Sequence, residues 1–381
     1  MKRKSKDGTV SYLVRVFSGY DRETGKRREV CETWPKKKDA EAREAELKKQ
    51  LMLGTWQKPT KHSLAEFFAE WIEKSASARL KPQTVELYST LFRIYVKPHI
   101  GDLQLLQVSP MALQGLYTKL GQGAKPLSPK TIKNVNTCLR SCLKQAVAWR
   151  YIPHNPCHDV DLPRRVGQPR RVRSFDPEQA QAFLHKAKAD RWGACLATGL
   201  LTGARPAEYL ALLWSDLNWK KGELRIERTI VWPKGGGWHF DAPKTDRSCR
   251  TITLMPELLE ILREHRTRQL QERLLLGPKW ESKEDFMFTN ARGGPVYEKH
   301  LVTRSFKKVL KAAEIPKDFT LYELRHTCAT LLLVIGVAAK VVADRLGHSS
   351  VSMTLDTYSH VLPAVEKKAS DGLREVIYLV P

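Results

Sequence analysis

An arginine, a histidine and a tyrosine stand close together near the end of the chain, in the stretch from Thr320 to His360 (TLYELRHTCATLLLVIGVAAKVVADRLGHSSVSMTLDTYSH). Apolar spacing predicts a helix over residues 323–335 with Arg325 in its first turn, and Gly336 interrupts it. A second, shorter helix is expected over 337–346. Gly347 stops it and leaves His348 just beyond, where a side chain can reach into a cleft. A short polar helix, 350–356, then leads to Tyr358. These three residue types suit a phosphodiester. Arginine keeps its proton and matches phosphate oxygens two at a time. Histidine binds phosphate or moves a proton near neutral pH. Tyrosine, with a free pKa of about 10, needs nearby positive charge to act as a nucleophile. Singly, each has a plainer reading: Arg325 in a salt bridge, His348 on a surface loop, Tyr358 in packing. Together they are harder to dismiss.

Upstream, the segment Thr202-Gly203-Ala204-Arg205-Pro206-Ala207-Glu208 places Arg205 at a helix start, with Pro206 suited to the first turn. A helix N-terminus there adds to the pull on an anion. An ordinary i,i+3 surface pair between Arg205 and Glu208 is the simpler alternative. Residues 223–231, 237–240 and 250–254 alternate like strands. The loop between the last two carries Lys244, one lysine among many, placed where a turn could present it to a DNA groove. Gly235-Gly236-Gly237 is a loop tip and no phosphate loop, since no G-K-[ST] follows.

The motifs L-x-x-L-R-H-T, L-G-H-S and T-x-x-x-Y-x-H, preceded by T-G-x-R-x-x-E, L-x-W-x-D and P-K-T before R-x-I-x-L, resemble the active-site segments of tyrosine recombinases, the phage-integrase family. The resemblance makes Arg205 and Arg325 the two phosphate-binding arginines, Lys244 the acid for the leaving oxygen, His348 an aid to proton transfer and phosphate binding, and Tyr358 the nucleophile. Glu208 matches a supporting acidic position. The family usually carries histidine three residues before the second arginine. This chain has Tyr322 there, a substitute helper in proton transfer. His326, pointing off the helix in another direction, is not expected to take over that role.

The resemblance implies a site-specific recombinase, an integrase of a phage or integrative element. Tyr358 would attack a DNA phosphate, form a 3′-phosphotyrosyl bond and release a 5′-hydroxyl, so strands could be exchanged and rejoined without ATP, metal or other cofactor. The implied partners are double-stranded DNA attachment sites, a homotetramer assembled on them, and an excisionase or host DNA-bending protein, in the cytoplasm of a bacterial host. Rival readings are a type IB topoisomerase, a DNA-binding protein of the same fold with an impaired site, and a metal-dependent transposase. The last needs converging carboxylates, and the acidic residues here show no spacing distinct from surface charge.

Composition agrees with a polyanionic partner. The 381 residues carry a net charge of +24, spread along the chain. Residues 1–60 hold 16 basic and 9 acidic side chains, residues 61–165 hold 15 and 7, and the remainder 34 and 25. No single tail holds the excess, which suits a long polyanion touching every segment. No apolar run is long enough for a bilayer span and no signal-peptide core is present, so no membrane partner is expected. Seven scattered cysteines without a C-x-x-C argue for reduced thiols. Cys138 and Cys142 share a helix face, which suggests packing.

The elements that must position this chemistry form a multidomain, mainly α protein with small β-sheets. Residues 1–56 read as three strands and a helix whose Arg15, Lys26, Arg27 and Arg28 could face phosphates or be ordinary surface charge, and the resemblance makes this unit an arm-type DNA-binding domain. Residues 62–152 read as a four-helix bundle opening on a Ser63–Glu66 capping box, with Lys130, Lys133, Arg140 and Lys144 forming a basic face on its last helix, and the resemblance makes it the core-binding domain. Residues 153–174, rich in proline and arginine, read as an extended linker. Residues 175–381 make a mixed α+β catalytic domain, in which the long helix 256–276 is scaffold. Its apolar tail, 373–381, either covers its own core or adds to a neighbouring subunit.

Overall fold

The computed structural model describes residues 2–4, 10–20, 27–52, 62–122, 125–163, 172–233, 235–242 and 248–358, with 370, 374 and 377. Two units separate at residues 167 and 168. The expected turns near Asp7 and Thr24, Lys26, the Arg28 side chain, Lys244 and all of the apolar tail but residues 374 and 377 lie outside the described residues.

In the first unit, strands β1 (Lys2–Lys4), β2 (Val10–Tyr20) and β3 (Arg27–Trp34) form an antiparallel sheet in that order, backed by helix α1 (Lys37–Met52). Alternation decides its faces. Val14, Val16 and Val30 are buried with Ala40 and Leu47 of the helix, so Arg15 projects from the other side. There Arg15 and Arg27 both pair with Glu29, at 3.2 and 3.3 Å.

The helical bundle follows. Ser63 caps α2 (Leu64–Trp71) reciprocally with Glu66. Lys81-Pro82 opens α3 (Pro82–Leu91), Pro110 opens α4 (Pro110–Gln122), and Ser128-Pro129 opens α5 (Pro129–Ala148). The helix begun by α3 runs on past Pro98, a residue type that ordinarily ends a helix. A wide π turn, Phe92–Val96, intervenes, and a last turn, Lys97–Ile100, continues past the proline. Proline lacks an N–H and crowds the carbonyl four residues back; the wide turn shifts that register. The apolar stripes meet in one core: Phe68 stacks on Phe92 at 3.8 Å, and Leu64, Trp71, Leu113, Val135, Cys138 and Cys142 are sealed inside. Lys130, Lys133, Arg140 and Lys144 lie on the exposed side of α5.

Less of residues 153–174 is extended than the sequence suggests. Cys157 is buried in the bundle core, and the Asn155 side chain donates to the Arg140 carbonyl. At the other end Arg173 donates to Asp318 and Glu323 and covers the Phe319 ring. Local proline turns and a bidentate arginine tie both ends down to their neighbours.

The second unit is built around α6 (Pro177–Ala187) and α7 (Gly193–Thr202), the latter buried along nearly its whole length. A one-turn helix α8 (Pro206–Tyr209) leads to a small sheet of β4 (Leu217–Asn218), β5 (Glu223–Ile226) and β8 (Arg250–Thr253). The single strand expected over 223–231 is two. Glu227-Arg228 breaks it, and β6 (Thr229–Val231) pairs instead with β7 (His239–Asp241) in a separate ribbon. Arg228 is drawn out of line by its ion pair with the buried Asp216. Then come α9 (Pro256–Leu276), α10 (Lys307–Ala312), α11 (Leu321–Val334), α12 (Ala339–Leu346) and α13 (Val351–Tyr358). Among the described residues no helix is long and apolar enough to cross a membrane.

One buried histidine makes this unit's stability depend on pH. His265 on α9 contacts the Met287 carbonyl through Nε2 at 2.8 Å, and Arg268 meets its Nδ1 at 3.1 Å. Those partners fit a neutral ring with its proton on Nε2. Burial lowers its pKa to about 4, below the unfolded value. The unfolded chain therefore binds the proton first. The stabilisation is complete above pH ~6.5 and is lost as pH falls toward 4, at up to about 1.4 kcal/mol per pH unit. Urea midpoints measured between pH 7 and pH 5 should fall more steeply for the native chain than for His265→Gln; equal slopes would refute the assignment.

Candidate active site

The last turn of α12 is where the separate sequence motifs meet. Gly347 takes the left-handed conformation, φ 68°, and ends the helix, leaving its final carbonyls without helical partners. Three guanidiniums satisfy three successive ones. Arg250 Nε donates to the Arg345 carbonyl (2.6 Å), Arg325 Nη1 to that of Leu346 (2.8 Å), and Arg205 Nη2 to that of Gly347 (3.2 Å). Arg325 Nη1 also donates to the Gly203 carbonyl at 2.8 Å. Gly203 itself has φ 67°, and a Cβ there would lie 2.7 Å from Leu346, so glycine is needed for this close approach.

Glu208 holds the arginines from the other side. Its carboxylate is 2.6 Å from Arg205 Nη1 and 2.8 Å from Arg250 Nη2, and it accepts the Arg205 backbone N–H. The residue is 2% exposed. Burial pushes its carboxyl up, but Arg250 and Arg205 together outweigh this and hold it below the usual carboxylate range. The expected pull of a helix N-terminus on Arg205's ligand is small, because α8 is only four residues long. The positive potential comes from side chains instead. Three guanidiniums against one carboxylate leave a local charge of +2.

Arg325 is 3% exposed, and its Nη2 is buried without a hydrogen-bond partner. Burial first, then the charges of Arg205 and Arg250, lower its pKa to about 10 against the opposing pull of Glu208 and Tyr358. It remains protonated at neutral pH. A buried charged donor with nothing to bond is costly, and an incoming anion removes that cost.

His348 follows Gly347 directly. Its Nδ1 lies 2.7 Å from Thr354 Oγ1 on α13, and burial, with the Arg325 charge next, lowers its pKa to about 4. Tyr358 is the last residue of α13 and is buried beside Ala329, Leu333, Val342 and Leu346. Burial pushes its phenol up to about 12, against the Arg325 charge. Its hydroxyl is 2.9 Å from His326 Nδ1.

That contact overturns the expectation that His326 points elsewhere. Tyr358 packs beside Ala329 and Leu333 of α11, and positions 326, 329 and 333 lie on one helical stripe. A ring lying along that stripe ends with its hydroxyl at 326. The signal was present in the spacing, but the partner helix was not. Tyr322, one turn earlier, is 48% exposed, with its ring 6.4 Å from that of His326. Arg250 is the second residue missed. Strand alternation puts 250, 252 and 254 on one face, and Ile252 and Leu254 are core, so an inward arginine was legible there. A cavity of about 850 Å³ beside Arg191, Trp232 and Tyr297 includes none of these side chains.

A family model described as the phage integrase family matches residues 173–364, half of the chain, and one for a phage integrase N-terminal SAM-like domain matches residues 63–121. The chain belongs to the phage integrase family. A XerC-like tyrosine recombinase of Caldanaerobacter subterraneus is 31% identical and covers 97% of both chains; an integrase of Streptomyces ambofaciens is 30% identical over 83% of this chain and 81% of its own. The fold is shared with the Tn1549 transposon integrase in complex with transposon right end DNA (TM-score 0.65, 23% identity, 78% of this chain and 95% of that one). It is shared also with a lambda integrase dimer bound to a core site (TM-score 0.54, 17% identity, 94% of each). This recombinase is an enzyme of site-specific DNA recombination and integration.

The recombinase's arginine frame should depend on Arg250 though nothing aims it at a ligand. Arg250→Leu leaves Glu208 buried with one guanidinium and should cost roughly 3 kcal/mol, read from urea unfolding. Arg250→Lys should recover only part, because a point charge cannot serve both Glu208 and the Arg345 carbonyl.

Proposed function

We propose that Tyr358 is the nucleophile that attacks a DNA phosphate, forming a 3′-phosphotyrosyl bond and releasing a 5′-hydroxyl. The observation that carries this reading is the unpartnered, buried Nη2 of Arg325 in a +2 cluster that includes the Tyr358 environment. A phosphodiester brings the missing acceptor oxygens and one negative charge. Arg205 and Arg325 hold the non-bridging oxygens, and their attraction grows as charge builds in the five-coordinate transition state. The guanidiniums are held in place by the α12 carbonyls and Glu208 before DNA arrives, so little reorganisation accompanies the reaction.

His348 acts as a neutral ring. With the Thr354 hydroxyl donating to Nδ1, the ring proton sits on Nε2, free to donate to a phosphate oxygen. Lys244, by resemblance, gives the proton to the leaving sugar oxygen. Tyr322 stays a candidate helper through its neighbour His326. The bond energy is kept in the phosphotyrosine, so rejoining needs no ATP.

The upstream elements hold the duplex. Lys130, Lys133, Arg140 and Lys144 on α5 contact phosphates, and residues 62–152 and 175–381 act as the core-binding and catalytic domains. Residues 1–56, with Arg15, Lys26, Arg27 and Arg28, bind accessory arm sites. Four copies act on two attachment-site duplexes; the lambda integrase, whose fold this chain shares, is seen as a tetramer bound to a Holliday junction. An excisionase or a host DNA-bending protein sets direction.

With a nicked duplex carrying the crossover site, in EDTA, the native chain should form a protein–DNA adduct that survives denaturation. Tyr358→Phe should form none, and Arg325→Ala should slow adduct formation by about 10²–10³-fold. An adduct in Tyr358→Phe would move the nucleophile elsewhere. Lys133→Ala or Lys144→Ala should lower the salt dependence of DNA binding by about one ion each, with no change in sequence preference.

A further inference from the structure

We infer that His326 is the base that takes the phenolic proton of Tyr358 as its oxygen attacks phosphorus. The inference rests on Tyr358 being the nucleophile, and it assigns a residue that the motif comparison passes over. The geometry is direct: Nδ1 lies 2.9 Å from the hydroxyl, and the two rings meet edge to face, with centroids 5.8 Å apart and planes at 65°. Tyr358 is held there by its own packing beside Ala329 and Leu333, so the contact does not depend on a mobile side chain finding its partner.

The chemistry needs such a base. The buried phenol holds its proton at neutral pH, pushed up to about 12, and a neutral phenol is a poor nucleophile. The other titratable groups nearby are unsuited. Glu208 is held between two guanidiniums below the usual carboxylate range, and its oxygens are already taken. His348 has its Nδ1 engaged with Thr354, and burial, then the arginine charges around it, oppose its protonation. Tyr322 is itself a weak base as a phenol, and it is half exposed on the turn before. Around His326 stand Tyr322 and Arg325 on its own helix, Tyr358 from α13, and His348, whose protonation a charged His326 would oppose.

The step balances as follows. His326 starts neutral with its proton on Nε2, and its Nδ1 lone pair accepts the Tyr358 hydroxyl. The bond from the tyrosine oxygen to phosphorus forms, the bond from phosphorus to the 5′ oxygen breaks, and the phenolic proton passes to Nδ1. The departing oxygen takes its proton from a separate acid. The imidazolium formed lies beside the added negative charge of the transition state. In rejoining, the 5′-hydroxyl attacks and the same proton returns to the tyrosine oxygen.

Single-turnover adduct formation by the full chain on the nicked duplex tests this. His326→Ala should slow cleavage by roughly 10²–10⁴-fold while DNA affinity stays within a few-fold of native. Added imidazole should restore the rate in proportion to its concentration, which a merely structural defect would not allow. His326→Asn keeps an acceptor near the Nδ1 position but cannot take a proton. It should bind DNA normally, cleave slowly, and lose the histidine-like plateau of the native pH–rate profile, its rate instead rising into alkaline pH. If the alanine variant does not fold, the asparagine variant alone decides. Either folded variant cleaving within about threefold of native, with an unchanged pH profile, would overturn the proposal. Tyr358→Phe run in parallel separates the two readings. An adduct persisting there overturns the nucleophile and this inference with it, whereas loss of adduct there with near-native His326 variants overturns this inference alone.

Discussion

Three consecutive carbonyls at the end of one short helix organise the second unit. A helix leaves its last C=O groups unsatisfied, and burying them without partners would be costly. Here residues 345, 346 and 347 offer theirs to guanidiniums from β8, from α11 and from the residue before α8. Segments distant in sequence are thereby brought to a common point, each held by a directional, charge-assisted bond. Gly347 makes the arrangement possible, because its left-handed turn both ends the helix and sends the chain on to His348.

The electrostatics follow from that frame. Guanidiniums gathered on carbonyls need a counter-charge, and Glu208 supplies only one. Burial first, and then this surplus, lowers the pKa of Arg325 and of His348, and the Arg325 charge draws on that of Tyr358. Burial acts the other way on the phenol and wins. The resting site is thus two neutral proton carriers beside a cluster of fixed positive charge, with one guanidinium nitrogen left over. Such a site is unfinished as a structure, and on the proposed function a phosphodiester completes it.

The first unit shows the same economy with plainer means. Its sheet and bundle are held by apolar stripes whose periods are those of strand and helix, and its charges stay on outer faces. On the sheet, Glu29 already engages Arg15 and Arg27, so these are not bare cations. On α5 the basic side chains are exposed along one side.

The sequence by itself determined most of the elements and the family they belong to. Capping boxes, first-turn prolines and stop glycines act within a few residues, so Ser63, Pro82, Pro110, Ser128 and Gly347 mark their boundaries without reference to the rest of the fold. The residue types at 205, 325, 348 and 358 likewise named phosphate chemistry, and their motifs named the family. What the tertiary structure decided were matters of pairing. The split of 223–231 into two strands came from the pull of Asp216 on Arg228, and the continuation past Pro98 from a wide turn in a packed helix. The inward role of Arg250 needed both Glu208 and a distant carbonyl. The place of His326 needed the Tyr358 end of α13 brought against α11, since a helical position has no direction until something packs against it. Local rules are written in neighbouring residues, whereas the partner across a site is set by packing between segments that the sequence keeps far apart.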